Sequence, residues 1–146
     1  VNHIHGNLYV GSKRDVEELV EGQQYKPWEW SIINVARDHD FPYQFHKLSL
    51  RYNKVGLHDG PGNEIAVFEA AIYLAKESMR GGGKTLLHCI GGISRSPSVA
   101  VRCFMGLPQW PTFDEAYAFV KEKRPQANIV PALQCLCRMG DLTGDC

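Results

Sequence analysis

The sequence carries no surplus of charge: 16 Lys and Arg balance 16 Asp and Glu over 146 residues. That excludes the basic footprint by which domains hold nucleic acid, so no nucleic-acid partner is expected. There is no apolar run near the ~20 residues that a membrane-spanning helix needs, and no membrane association is expected. Val1 to Gly11 also lacks a charged start followed by an apolar block, so it is not read as a signal peptide; a chain beginning on Val1 rather than Met is read as trimmed. Repeats, low-complexity tracts and long linkers are missing as well. The five cysteines, Cys89, Cys103, Cys135, Cys137 and Cys146, are odd in number and irregular in spacing. Such a set is not a secreted disulfide framework, and a cytoplasmic or nuclear setting fits better. Cys135 and Cys137 have no second Cys/His pair at zinc-like spacing and read as helix-packing thiols. No metal or other cofactor is called for.

What is present suits a single domain over residues 1–146 with one core. Asn7 to Val10 reads as a short strand. Ser12, with Asp15 three residues on, caps a helix whose apolar face is Val16, Leu19 and Val20, ending at Gly22. A turn is expected over Lys26 to Trp30. Ser31 to Ala36 (SIINVA) is a buried strand, and the alternation of Phe45 to Leu50 predicts another. Asp59 to Asn63 (DGPGN) is loop chemistry, after which Asn63 is expected to cap a helix running to about Arg80. Lys84 to His88 forms the next strand. Further helices are expected from Ser96-Pro97, after a Thr112 to Glu115 capping box, and over Pro131 to Met139. Strands alternating with helices imply an α/β fold, a central mostly parallel sheet flanked by helices.

The segment with most chemistry is His88-Cys89-Ile90-Gly91-Gly92-Ile93-Ser94-Arg95-Ser96, between a strand and a helix. A phosphate needs several backbone N–H groups pointing inward, the positive end of a helix dipole and a planar cation. Gly91 and Gly92 let the loop curl, the following helix supplies the dipole, and Arg95 can grip two phosphate oxygens at once. Ile90, Gly91, Gly92, Ile93, Ser94 and Arg95 are thus the expected phosphate-binding residues. The helix end and the inward N–H groups favour the thiolate of Cys89, ready for in-line attack on phosphorus and a phosphocysteine intermediate. Ser96 is expected to hydrogen-bond that sulfur, to cap the helix, or to do both. Cys103 is expected to pack in the core rather than act as a resolving thiol.

At these residues the sequence resembles the dual-specificity subgroup of the protein tyrosine phosphatases, whose HC-x2-G-x2-R-S/T pattern HCIGGISRS satisfies. Asn7 to Gly11, Ile32 to Ala36, Ser96 to Ala100 and Lys123 to Pro125 extend the likeness along nearly the whole chain. The resemblance implies hydrolysis of phosphotyrosine and of phosphoserine or phosphothreonine in protein substrates. It also implies a general acid about thirty residues before the Cys. Asp59, 30 residues before Cys89, fits that place; Asp38 and Asp40, some fifty residues before, are rivals on chemistry alone. His58 is expected to face solvent. The stretch Arg51 to His58 reads as longer than the family's connection into the acid. Gln126 to Pro131 departs from the family's order, with consequences expected for helix packing. Trp28, Trp30, Tyr43 and Tyr52 either line the pocket rim or pack. The Lys-free loop disfavours an inositide or RNA phosphate ester. The retained Cys disfavours a non-catalytic phosphopeptide-binding module.

Overall fold

The computed structural model describes residues 1–22, 29–41 and 51–139. The expected turn at Lys26 to Trp30 lies mostly outside them, and the strand expected at Phe45 to Leu50, together with Trp28, Tyr43 and Cys146, lies wholly outside.

Five strands, β1 (Asn2–His5), β2 (Leu8–Gly11), β3 (Trp30–Ala36), β4 (Arg51–Leu57) and β5 (Lys84–His88), form one sheet in the order β1-β2-β5-β3-β4. β1 pairs with β2 antiparallel, and β2, β5, β3 and β4 run parallel. The helices are α1 (Lys13–Glu21), α2 (Ile65–Arg80), α3 (Arg95–Phe104), α4 (Phe113–Lys123) and α5 (Pro131–Arg138).

All seven residues of β3 are buried, because both faces of the sheet are covered and a central parallel strand is therefore mostly apolar. The strand period of two sorts the neighbours. Ile33 and Leu87 join the larger core beneath α2 to α5, while Ile32 and Leu86 join Val16 and Val20 of α1 on the opposite face. Trp30 belongs to that second core, its ring 5.1 Å from Tyr9. It packs rather than lining a rim.

The ends of the elements show where local chemistry was and was not enough. Ser12 and Asp15 close a full capping box on α1. Thr112 accepts from the Glu115 N–H on α4. Asn63 does not cap α2, whose N-cap is Glu64 without a side-chain bond. Its amide turns back into the preceding loop instead, taking the His58 N–H at 2.7 Å and giving its own hydrogens to the carbonyls of His58 and Gly60.

The stretch Arg51 to His58 is corrected. It is not a lengthened connection: Arg51–Leu57 is strand β4 itself, paired along β3 from Ser31↔Arg51 to Ala36↔Leu57. As the edge strand of the sheet it turns Arg51, Asn53 and Lys54 to solvent, the usual protection of an edge. Asp59 therefore comes two residues after the strand ends.

Candidate active site

β5 delivers His88 and Cys89 to the C-terminal edge of the parallel strands, and α3 begins six residues later with Arg95. The loop between them is held from behind by the rest of the fold. The Lys13 N–H donates to the Ile90 carbonyl at 3.0 Å, and the Asn128 N–H to the Ile93 carbonyl at 2.7 Å. The Val130 N–H reaches Ser94 Oγ at 2.9 Å, and Ser98 Oγ donates to the Arg95 carbonyl at 2.6 Å. Gly92 sits at φ +66°, and a Cβ there would meet the Gly11 carbonyl oxygen at 2.6 Å and the Arg124 guanidinium. This position therefore needs glycine both for its torsion and for its close approach.

In front of the loop is a cavity of about 430 Å³ whose lining includes Cys89, Ile90, Gly91, Ile93, Ser94, Arg95, Asp38 and Asp59. Cys89 is only 3% exposed, and its sulfur lies 3.2 Å from Ser96 Oγ. Arg95 is buried. Its Nη1 donates to Asp38 Oδ1 at 2.5 Å and to the Leu57 carbonyl at 3.1 Å. With Nη1 so occupied, the other edge of the guanidinium is the one a phosphate can take. The hydrogen bond from Arg95 holds the Asp38 carboxyl below the usual carboxylate range. A thiol, a planar cation and a helix N-terminus thus converge on one small site, the set that would stabilise an oxyanion in transfer.

Comparisons with known proteins give the family. The profile described as "Dual specificity phosphatase, catalytic domain" matches residues 8–138. The chain belongs to that family. It is 33% identical over 122 residues to Dual specificity protein phosphatase 16 of Homo sapiens, covering 82% of this chain and 17% of the relative. It is 30% identical over 144 residues to Protein phosphatase Slingshot of Drosophila melanogaster, covering 94% of this chain and 13% of the relative. The chain thus spans less than a fifth of the length of either relative. Among solved structures, human DUSP28 superimposes with a TM-score of 0.75 at 22% identity, covering 95% of this chain and 94% of that one; this likeness is one of fold.

Within this dual-specificity fold the residues singled out from the sequence have distinct places. Cys89, Arg95 and Asp59 border one cavity, with Ser96 Oγ behind the sulfur. Ser96 is not the helix cap: α3 starts at Arg95 with Ser94 as N-cap, so Pro97 is the third helical residue rather than the first. Its missing N–H is still one that the first turn leaves unused. Gly92 does not border the cavity; it shapes the loop from behind. Asp40 lies outside the cavity and pairs with Lys54 at 2.7 Å. Tyr52 receives a hydrogen bond from Asn34 at 3.0 Å and is half-buried, so it packs rather than lining the mouth. Cys103 and Cys137 are buried, and burial pushes both thiols up to about 12. Cys137 donates to the Ser98 carbonyl. Both act as core thiols, whereas Cys135, expected to be a helix-packing thiol like Cys137, is corrected: it is disulfide-bonded.

Three contributors escaped the sequence reading. Arg124, taken only as a helix end, is 3% exposed. Its Nε donates to the Gly92 carbonyl at 2.6 Å, and its Nη1 to Asn2 Oδ1 at 2.7 Å and the Val10 carbonyl at 3.3 Å. Gln126 to Pro131 was expected to affect only helix packing, yet Asn128 and Val130 border the cavity and bond the loop. His88 places its Nδ1 3.0 Å from the Cys89 carbonyl, and burial pushes its imidazole down to about 4. A larger groove, about 490 Å³ between α2, α3 and α5, is bordered chiefly by apolar side chains and contains no nucleophile. Among the described residues no group of three His, Cys, Asp or Glu could hold a metal ion, and no helix is long and apolar enough to cross a membrane.

Proposed function

We propose that the chain hydrolyses phosphotyrosine, together with phosphoserine and phosphothreonine, in protein substrates through a phosphocysteine intermediate. Cys89 attacks phosphorus in line, and the P–O bond to the leaving side chain breaks as the S–P bond forms. Arg95 and the backbone N–H groups of the loop hold the equatorial oxygens, where charge concentrates in the transition state. Asp59 gives its proton to the leaving oxygen, then takes one from the water that attacks the phosphocysteine. Ser96 Oγ donates to the sulfur as it departs in the second step. Asp38 is unsuited to the acid's part, because its bond from Arg95 keeps it ionised.

The observation that carries this reading is the Cys89 sulfur set 3.2 Å from Ser96 Oγ in a cavity shared with Arg95 and Asp59. Among the described residues no lysine borders that cavity, which favours a phosphoprotein over an inositide or RNA substrate. The free thiols Cys89, Cys103 and Cys137 favour a cytoplasmic or nuclear setting, while the disulfide-bonded Cys135 speaks against a fully reducing one. The test is steady-state hydrolysis of para-nitrophenyl phosphate by the purified chain and by Cys89→Ser. Turnover that the substitution abolishes supports the reading. Phosphate binding with no Cys89-dependent turnover would make the chain a binding module instead.

A further inference from the structure

A second cavity, of about 290 Å³, opens beside the first and shares Asp38, Asp59 and Arg95 with it; its remaining walls are Arg37, Leu57 and His58. The hydrolysis described above gives Arg37 and His58 no part. Yet both are built into place. The Arg37 N–H donates to the Leu57 carbonyl at 3.1 Å. Its Cα lies so close to β4 that a Cβ on Gly56 would come within 2.9 Å of it. The side chain is exposed, and its Nη1 donates to His58 Nε2 at 3.0 Å. The His58 backbone is held in turn by the Asn63 amide.

The partner matters more than the bond. Among the described arginines, Arg14, Arg80, Arg95 and Arg138 each meet a carboxylate, and of Arg37, Arg51, Arg102 and Arg124, which do not, Arg37 is the one that borders this cavity. Arg37 makes no ion pair among the described residues; its tether is the His58 ring nitrogen rather than a carboxylate. The guanidinium is oriented while its charge stays uncompensated, at the edge of the phosphate cavity. Of the two carboxylates on the shared wall, Asp38 is already met by Arg95, and Asp59 is assigned above to the leaving oxygen.

We propose that Arg37, oriented by His58, is a subsite for an anionic group on a residue flanking the phosphorylated one. A carboxylate and a second phosphate share the chemistry it would take, since both accept two N–H groups from one guanidinium fork. The proposal rests on the protein-phosphatase reading and extends it to substrate choice.

The test compares matched phosphotyrosine peptides carrying Asp, phosphoserine, Ala or Lys beside the phosphorylated residue, on either side. For each enzyme variant the readout is the ratio of kcat/KM between flanked and Ala peptides, so a loss common to all substrates cancels. The wild type is expected to favour an acidic flank about fivefold, the size of one exposed charge pair. Arg37→Ala brings that ratio to one, and Arg37→Glu turns it toward the Lys peptide. A larger gain from phosphoserine than from Asp assigns the subsite to a second phosphoresidue, and equal gains assign it to carboxylates. The same ratios are read as binding to the Cys89→Ser protein by fluorescence anisotropy. If the chain turns nothing over, the phosphatase reading fails while the Arg37-dependent preference remains measurable. Equal handling of Asp and Ala peptides by the wild type, or a preference that survives Arg37→Ala, overturns the subsite.

Discussion

The two loops that meet at the cavity are built in opposite ways. The loop from Cys89 to Ser94 is pinned from behind by buried bonds from α1, from the α4–α5 connection and from Arg124. The loop from His58 to Asn63 is largely exposed and is laced by one amide side chain and one Arg–His contact. The difference follows from what each must do. Stabilising a transferring phosphate works only if the dipoles are already aimed, because reorienting them during reaction would cost what they give. A proton donor needs only to reach the leaving oxygen, and it must exchange protons with water between turnovers.

That contrast can be broken from either side, and the deep side should cost most. Arg124→Ala strips partners from the Gly92 and Val10 carbonyls and from Asn2 Oδ1. Each buried acceptor left bare costs about 1–3 kcal/mol, so a total of about 4 kcal/mol is expected as a fall in the chemical-denaturation midpoint. Loss of activity should accompany it, since the loop that Gly92 shapes would relax. A denaturation midpoint equal to wild type would mean that the loop holds its form without Arg124.

His88 gives the deep side a pH signature. Its folded-state value of about 4 lies below the unfolded value near 6.5. Between those values the unfolded chain binds a proton that the folded chain refuses, so stability is complete above about pH 6.5 and falls as pH drops toward 4. The loss from this one group approaches about 3 kcal/mol. Denaturation of the wild type and of His88→Gln across pH 4 to 7 measures it, and the substituted chain should show the flatter profile.

On the exposed side the effects are chemical rather than structural. Asp59→Asn should lower kcat about a hundredfold for phosphotyrosine peptides and remove the fall in rate at high pH, with the fold intact. Asp38→Asn should keep that fall, because Asp38 is ionised by Arg95 throughout. If the two substitutions exchange these results, the acid has been misassigned. The smallest effect is expected from Asn63→Ala, which frees the acid loop without removing the acid. A loss of about fivefold on poor leaving groups, and nearly none on para-nitrophenyl phosphate, would mark a misplaced proton donor; the magnitude corresponds to one neutral hydrogen bond.

The same contrast explains how much could be read in advance. HCIGGISRS is contiguous, so the nucleophile, the turn and the cation declare themselves in nine letters. β3 was visible because a doubly covered strand is mostly apolar, here broken only by Ser31 and Asn34. β4 was not: Arg51, Asn53 and Lys54 are polar and exposed in this edge strand, so nothing in Arg51 to His58 read as a strand. Reading that stretch as connection created the lengthened approach to Asp59, which β4 removes. Arg124 was hidden for another reason. Its partners lie 32, 114 and 122 residues away, and a charged residue beside a proline at a helix end looks like any exposed terminus. β1 went unseen because Ile4 is its one buried side chain.

The central claim is that Cys89 carries the phosphoryl group during turnover. Mixing the chain with labelled aryl phosphate, quenching within one turnover and mapping the label by peptide mass spectrometry tests it directly. Phosphate on Cys89, accumulating further in Asp59→Asn when a good leaving group makes the second step limiting, is the predicted result. Turnover with no label on Cys89 at any quench time, or label on another residue, would contradict the account.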